Sequence, residues 1–142
     1  MKKRILAIDY GRKRMGVAVS DGLGITAQML PTLVIKSMKD ALNRLKKLAE
    51  EYDFEEIVLG LPLDMYGRSG EMAEEVKKFG ASVNNATGIK IEFFDERFTS
   101  KQAEKAMHQM GEKIGKKKAK IDSLSAVFLL QSYLDYKSVK KG

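Results

Sequence analysis

The chain opens with a short apolar run, Ile5-Leu6-Ala7-Ile8, closed by Asp9, and a second run, Met15 to Ser20, follows the polar stretch Gly11-Arg12-Lys13-Arg14. Short apolar runs bounded by turn residues read as buried strands, and their close spacing predicts a hairpin. The β pattern resumes over Leu30 to Ile35, where Pro31, which cannot donate to a ladder, points to an edge or a strand start. Three antiparallel strands are therefore expected first.

The period then changes to that of a helix. Met38, Ala41, Leu42, Leu45, Leu48, Ala49 and Tyr52 recur on one helix face, and Ser37 with Asp40 three residues on supplies an N-cap. Glu56 to Gly60 predicts a short buried strand that leaves the sheet at Gly60-Leu61-Pro62. Ser69 to about Val83 predicts a second helix, with Met72, Val76, Phe79 and Val83 inward. Ile89 to Asp95, β-branched and aromatic, predicts a strand, and Thr99 with Gln102 caps a helix towards Met110. Gly111 to Lys120 reads as a basic loop. Asp122 then opens a helix, Ser123 to about Tyr136, which is apolar nearly all round and so expected to be mostly buried. The order βββαβαβαα implies an α/β fold, a mixed sheet with helices on its faces, in one domain spanning 1–142. There is no internal repeat or interdomain linker.

Hydrophobic residues at 44% and charged residues at 32% give a globular balance. The absence of cysteine and the single His108 exclude disulfides, thiolate or histidine zinc clusters and cysteine nucleophiles, so any metal must be held by oxygen. His108 reads as a surface or boundary residue and the methionines as packing. The first apolar run is broken by Asp9 too soon for a signal peptide or a membrane span, so no membrane association and a cytoplasmic location are expected.

The net charge of +7 is segregated. Residues 1–14 carry six basic residues against Asp9, residues 101–120 carry seven lysines against Glu104 and Glu112, and residues 40–56 are net acidic. One side facing phosphates would explain this, as would a solvated surface on a lysine-rich protein. On the first reading Arg12, Lys13, Arg14, Arg97, Lys116, Lys117, Lys118 and Lys120 are the candidate nucleic-acid contacts, positioning a backbone without reading its sequence.

Three acids stand where the core pattern does not want them. Asp9 shares a strand face with Ile5 and Ala7; it either holds a cation or partner, or ends the strand in an Asx turn. Glu96, in Asp95-Glu96-Arg97, lies past the carboxyl end of a strand, where α/β sheets place ligand sites, or pairs with a basic neighbour on the surface. Asp122 is a ligand or an ordinary N-cap. Together they fit magnesium, which prefers carboxylate oxygens and water, and two ions roughly 4 Å apart can activate a water and stabilise the leaving oxygen of a phosphodiester. Such a cage requires the end of the first strand, the Glu96 strand end and the start of the last helix to converge. Gly60-Leu61-Pro62-Leu63-Asp64, with Gly67 and Gly70, is either a turn or a flexible connection along the same sheet edge, from which Tyr66 and Arg68 could touch a sugar or phosphate.

Four ordered motifs carry a resemblance: Ile8-Asp9-Tyr10-Gly11 through Arg14-Met15-Gly16-Val17-Ala18-Val19-Ser20-Asp21, then Gly60-Leu61-Pro62-Leu63, Asp95-Glu96-Arg97, and Lys116-Lys117-Lys118-Ala119-Lys120-Ile121-Asp122. In these the chain resembles the YqgF family, also called RuvX, of the ribonuclease H-like superfamily, over almost its whole length. The resemblance implies a central five-stranded mixed sheet flanked by helices, and catalytic, metal-binding roles for Asp9, Glu96 and Asp122 with Mg2+ or Mn2+, two ions. Asp95 is the alternative to Glu96; only one of the pair can face the cage from extended chain, and Glu96 is preferred. It further implies a nuclease for structured RNA, maturing the 5′ end of the small-subunit ribosomal RNA precursor on pre-ribosomal particles, or a Holliday junction resolvase acting on branched DNA. A resolvase needs a dimer, whereas a processing nuclease could act as a monomer, so a monomer or a weak dimer is expected.

Two further readings compete. Asp-x-Gly before a basic turn also resembles the phosphate-binding hairpin of sugar kinases and actin-like ATPases, although those bind nucleotide between two such domains and 142 residues provide one. A non-catalytic ribosome-assembly protein would carry the same basic clusters with purely structural acids.

Overall fold

The computed structural model describes residues 4–96 and 118–141, with side chains over 4–96 and 123–139. The described elements are β1 (Arg4–Asp9), β2 (Arg14–Ser20), β3 (Ala27–Val34), α1 (Met38–Glu51), β4 (Phe54–Leu61), α2 (Glu71–Thr87), β5 (Lys90–Asp95) and α3 (Lys118–Lys141). The five strands form one mixed sheet in the order β3-β2-β1-β4-β5. β1 to β3 are the antiparallel unit expected from the first apolar runs, and β4 and β5 join parallel to β1 and to each other. Pro31 accordingly sits on an edge strand.

Alternation along the strands divides the core into two layers. Leu6, Ile8, Val17, Val19, Ile57 and Leu59 face α1 and α2, meeting Ala41, Leu45, Val76, Phe79 and Val83. Ile5, Ala7, Ala18, Val58 and Phe94 face α3, meeting Ala126, Leu129, Leu130, Tyr133 and Leu134. α1 starts where the pattern puts it: the Ser37 side chain accepts a hydrogen bond from the Asp40 amide, the cap that satisfies an otherwise unpaired N–H.

Several boundaries differ from expectation. β3 begins three residues before Leu30, and α2 runs from Glu71 to Thr87, where Gly88 stops it in the left-handed conformation at φ 73°. Met38 and Met72, expected inward, are exposed; each lies in the first turn of its helix, before the apolar face meets the sheet. The largest correction concerns the last helix, which begins at Lys118 rather than Ser123 and extends to Lys141 rather than about Tyr136. Lys118 to Lys120 are therefore helical, not loop, and Asp122 lies inside the helix rather than capping it. Arg97, Lys116 and Lys117, the helix expected from Thr99 to Met110, and His108 lie outside the described residues.

Candidate active site

Asp9 is the last residue of β1, on the face of Ile5 and Ala7 that α3 covers. Its antiparallel partner on β2 is Gly16, and continuing the parallel register from Ile8–Leu59 puts Gly60 of β4 on its other side. Glycines thus flank the aspartate on both neighbouring strands, and neither neighbour puts a side chain of its own beside it.

Glu96 reaches the same place from the end of β5. Gly60 pairs with Phe94, and Glu96 stands two residues beyond Phe94 on the α3 side. Its carboxyl lies directly over Gly60: a Cβ built there would stand 2.5 Å from Oε1 and 3.1 Å from Cγ of Glu96. Asp95 pairs with Leu61 and alternates to the opposite face, that of Ile91 and Leu59, towards α2. Of the two adjacent acids, Glu96 is therefore the one that shares a face and a sheet end with Asp9. Its carboxyl is held above the usual range, first by burial and second by the negative charge of Asp95. Both influences disfavour the carboxylate, and a bound cation would relieve both.

The backbone of position 122 comes to the same end of the sheet. Next to it, buried Ser123 donates from Oγ to the Leu30 carbonyl at 2.8 Å and lies 2.6 Å from Oγ1 of Thr32. Leu30 pairs with Val17, beside the Gly16 that faces Asp9, so this anchor holds the start of α3 at the level of Asp9. Gln131, two turns on, donates to the Ile25 carbonyl and accepts from the Ala27 amide, fastening the same helix to the start of β3. Among the described residues no group of three His, Cys, Asp or Glu side chains stands close enough to hold a metal ion, and the Asp122 side chain is not among those described.

The turn between β1 and β2 is tied to α2 by Glu75. Arg12 donates to both Glu75 oxygens through Nε and Nη2, the shortest contact being 2.7 Å, and the Tyr10 hydroxyl donates to Oε2 at 2.6 Å. The Arg12 hydrogen bond, then that of Tyr10, brings the Glu75 carboxyl down to about 2; burial, followed by the bond to Glu75, raises the Tyr10 phenol to about 12. The Tyr10 ring rests on Phe79 with centroids 4.8 Å apart. Of the expected phosphate contacts, Arg12 is engaged by Glu75, Lys13 is exposed and Arg14 is partly buried.

Sequence reasoning missed Glu75, Ser123 and Thr32, whose partners lie 63 to 93 residues away. Those contacts left no sequence signal, whereas Gly60 did announce the close approach of Glu96, since a strand glycine marks a place where another group comes near.

The family model RuvX, described as Holliday junction resolvase, matches residues 3–136. A protein named "Putative pre-16S rRNA nuclease" from Syntrophus aciditrophicus (strain SB) is 41% identical over 138 residues, covering 97% of this chain and 92% of that protein. A protein of the same name from Syntrophomonas wolfei subsp. wolfei is also 41% identical over 138 residues, with coverage of 97% and 98%. Among solved structures, T. thermophilus RuvC in complex with Holliday junction substrate superposes with a TM-score of 0.61 at 18% identity, covering 96% of each chain. That likeness, with the sheet order above, shows the ribonuclease H-like fold.

Proposed function

The chain belongs to the RuvX family, and from that premise we propose that it is a metal-dependent nuclease that hydrolyses phosphodiester bonds in structured RNA, with the 5′ end of the small-subunit ribosomal RNA precursor as substrate. The observation that carries this is the placement of Asp9 and Glu96 on one face at one end of the sheet, with the Glu96 carboxyl lying over Gly60. The names of the 41% identical relatives supply the substrate.

Asp9, Glu96 and Asp122 would hold Mg2+ or Mn2+, in a two-ion site; an all-oxygen donor set with a half-buried carboxylate near a second acid suits these hard cations. Such ions supply the activation of water and the neutralisation of charge that phosphodiester hydrolysis needs. The chain's own contribution is positional. Gly16 and Gly60 put no side chain of their own beside Asp9, Ser123 anchors the first turns of α3, and Glu75 holds Arg12 in the turn that follows β1. Arg12, Lys13, Arg14, Arg97, Lys116, Lys117, Lys118 and Lys120 would meet the backbone phosphates without reading sequence. We place the working protein in the cytoplasm, as one domain over 1–142; no helix among the described residues is long and apolar enough to cross a membrane.

The description of the RuvX model favours a second substrate, the four-way DNA junction. The deciding experiment is cleavage of end-labelled precursor ribosomal RNA and of a four-way junction, side by side, with manganese or magnesium and with Asp9→Asn as control. Asp9-dependent RNA trimming without paired junction cuts is expected. Paired cuts would transfer the activity to DNA and require a dimer, and no cleavage of either substrate would remove the nuclease reading.

A further inference from the structure

The loop that leaves β4 is a built structure. An isolated bridge pairs Leu63 with Ser69, and the Asp64 amide donates to the Arg68 carbonyl at 3.1 Å. Within it, Asp64 Oδ1 accepts from the amides of Tyr66 and Arg68, both at 2.9 Å, while Oδ2 accepts from Nε of Arg68 at 2.9 Å. Gly67 supplies the left-handed residue the turn needs, at φ 79°. The loop is further tied to α2, where Lys77 donates from Nζ to Oγ of Ser69 at 2.8 Å.

What this frame holds up is an aromatic ring in water. Tyr66 is 74% exposed, and the Arg68 guanidinium stands over its ring, 5.0 Å from the centroid. Asp64 fixes Arg68, Arg68 backs one face of the ring, and three-quarters of the residue's surface stays in water. Met65 beside it is 80% exposed. The loop springs from Leu61, which pairs with Asp95 and is adjacent to the Gly60 on which Glu96 lies, so it leaves the sheet at the end where Asp9 and Glu96 stand.

We propose that Tyr66, backed by Arg68, is a stacking platform for an unpaired nucleobase next to the scissile phosphodiester. A rigid exposed ring stacks on any base, because every base offers a π face, and stacking needs that base to be out of its helix. A guanidinium on the far side strengthens the stack and adds positive charge near the flanking phosphates. The inference rests on the nuclease reading and narrows it: the preferred substrate carries a single-stranded or splayed nucleotide at the cleavage site, and continuous duplex is a poor one.

The test is binding without cleavage, using the full chain with Asp9→Asn in metal-free buffer. Fluorescence anisotropy compares an RNA duplex bearing a short single-stranded extension with the same duplex fully paired; a second extension carries 2-aminopurine. The extended RNA is expected to bind about tenfold more tightly, with 2-aminopurine quenched on binding. Adding Tyr66→Ala should abolish both effects, Tyr66→Phe should keep both, and neither should move the melting temperature of so exposed a position. Equal binding of the two RNAs, or a preference and quench that survive Tyr66→Ala, would overturn the platform while leaving the nuclease reading standing. No binding to either RNA would overturn both.

Discussion

Glu96 folds its carboxyl over Gly60 closely enough that a Cβ at position 60 would stand 2.5 Å from Oε1 and 3.2 Å from Cδ. The atoms in the way are the far end of a flexible side chain, not backbone, so Gly60→Ala can be accommodated by swinging Glu96 aside. The expected result is a folded protein whose melting temperature moves by only a few degrees and whose cleavage rate falls by roughly 10- to 100-fold, the scale of an ångström's misplacement in an active site. Circular dichroism melts beside a cleavage assay separate the two effects; full activity in a folded variant would detach Glu96 from the chemistry.

The adjacent acids should behave differently because they face opposite sides of the sheet. Glu96→Gln removes the carboxylate that shares a face with Asp9, and its loss should exceed the roughly 10- to 100-fold that a ligand's outer partners cost. Asp95→Asn, on the α2 side, should retain most activity. The measurement is manganese affinity by calorimetry together with cleavage. The reverse ranking would make Asp95 the ligand.

Much of this arrangement was legible in the chain. The two runs ending at Asp9 and Ser20, and the Ser37–Asp40 cap, depend on neighbours a few residues apart, and alternation lets only one of Asp95 and Glu96 face Asp9, the choice of Glu96 needing the β4–β5 register. The start of α3 was hidden because a lysine run looks like solvated loop, although lysine is a good helix former and neither glycine nor proline follows until the last residue. The Glu75–Arg12 and Ser123–Leu30 contacts join residues 63 and 93 positions apart, and only the closed fold brings them together.

The Glu75 cluster predicts a definite dependence of stability on pH. Folded Glu75 keeps its charge down to about 2, held by Arg12 and then Tyr10, against an ordinary value of 4.5. A depressed carboxyl contributes stability that is whole above the unfolded value and is lost as the pH falls from 4.5 towards 2. The melting-temperature gap between the protein and Glu75→Gln should therefore be constant from pH 8 to about 6 and close on acidification through that window. Tyr10, raised from 10.0 to about 12, mirrors it: its share is whole below pH 10 and lost as the pH climbs towards 12. A gap that is flat from pH 6 to pH 2 would mean the cluster does not form in solution.

The turn that follows Asp9 should be intolerant of any side chain at position 11. A Cβ on Gly11 would collide with the Arg14 carbonyl, which is backbone and cannot swing away, so Gly11→Ala must shift the β1–β2 connection. The expected cost is about 1–3 kcal/mol, as for other overpacked sites, read by denaturant unfolding. Cleavage should fall as well, because the connection begins at the residue after the proposed ligand. A variant as stable as the parent would show the turn to be more adaptable than the packing implies.

Glu56 provides the control for all these acids, since it lies on the same strand and the same face as Gly60 but four residues towards the strand's other end, roughly 13 Å away at the rise of extended chain. It is 5% exposed, and its Oε1 accepts from the Tyr133 hydroxyl at 2.7 Å and from Lys137 Nζ at 2.9 Å, so it clamps the second half of α3 to the sheet. Removing the carboxylate leaves a buried phenol without its acceptor and a lysine, 31% exposed, without its counter-charge. Glu56→Ala should cost about 2–3 kcal/mol, somewhat below the range for fully buried pairs because Lys137 still reaches water. At a temperature where the variant is folded, its cleavage rate and manganese affinity should match the parent's, since nothing at the Asp9 end of the sheet has changed. Loss of stability without loss of activity marks Glu56 as structural; loss of activity in the folded variant would mean that the two ends of α3 are coupled and that the clamp sets the position of residue 122.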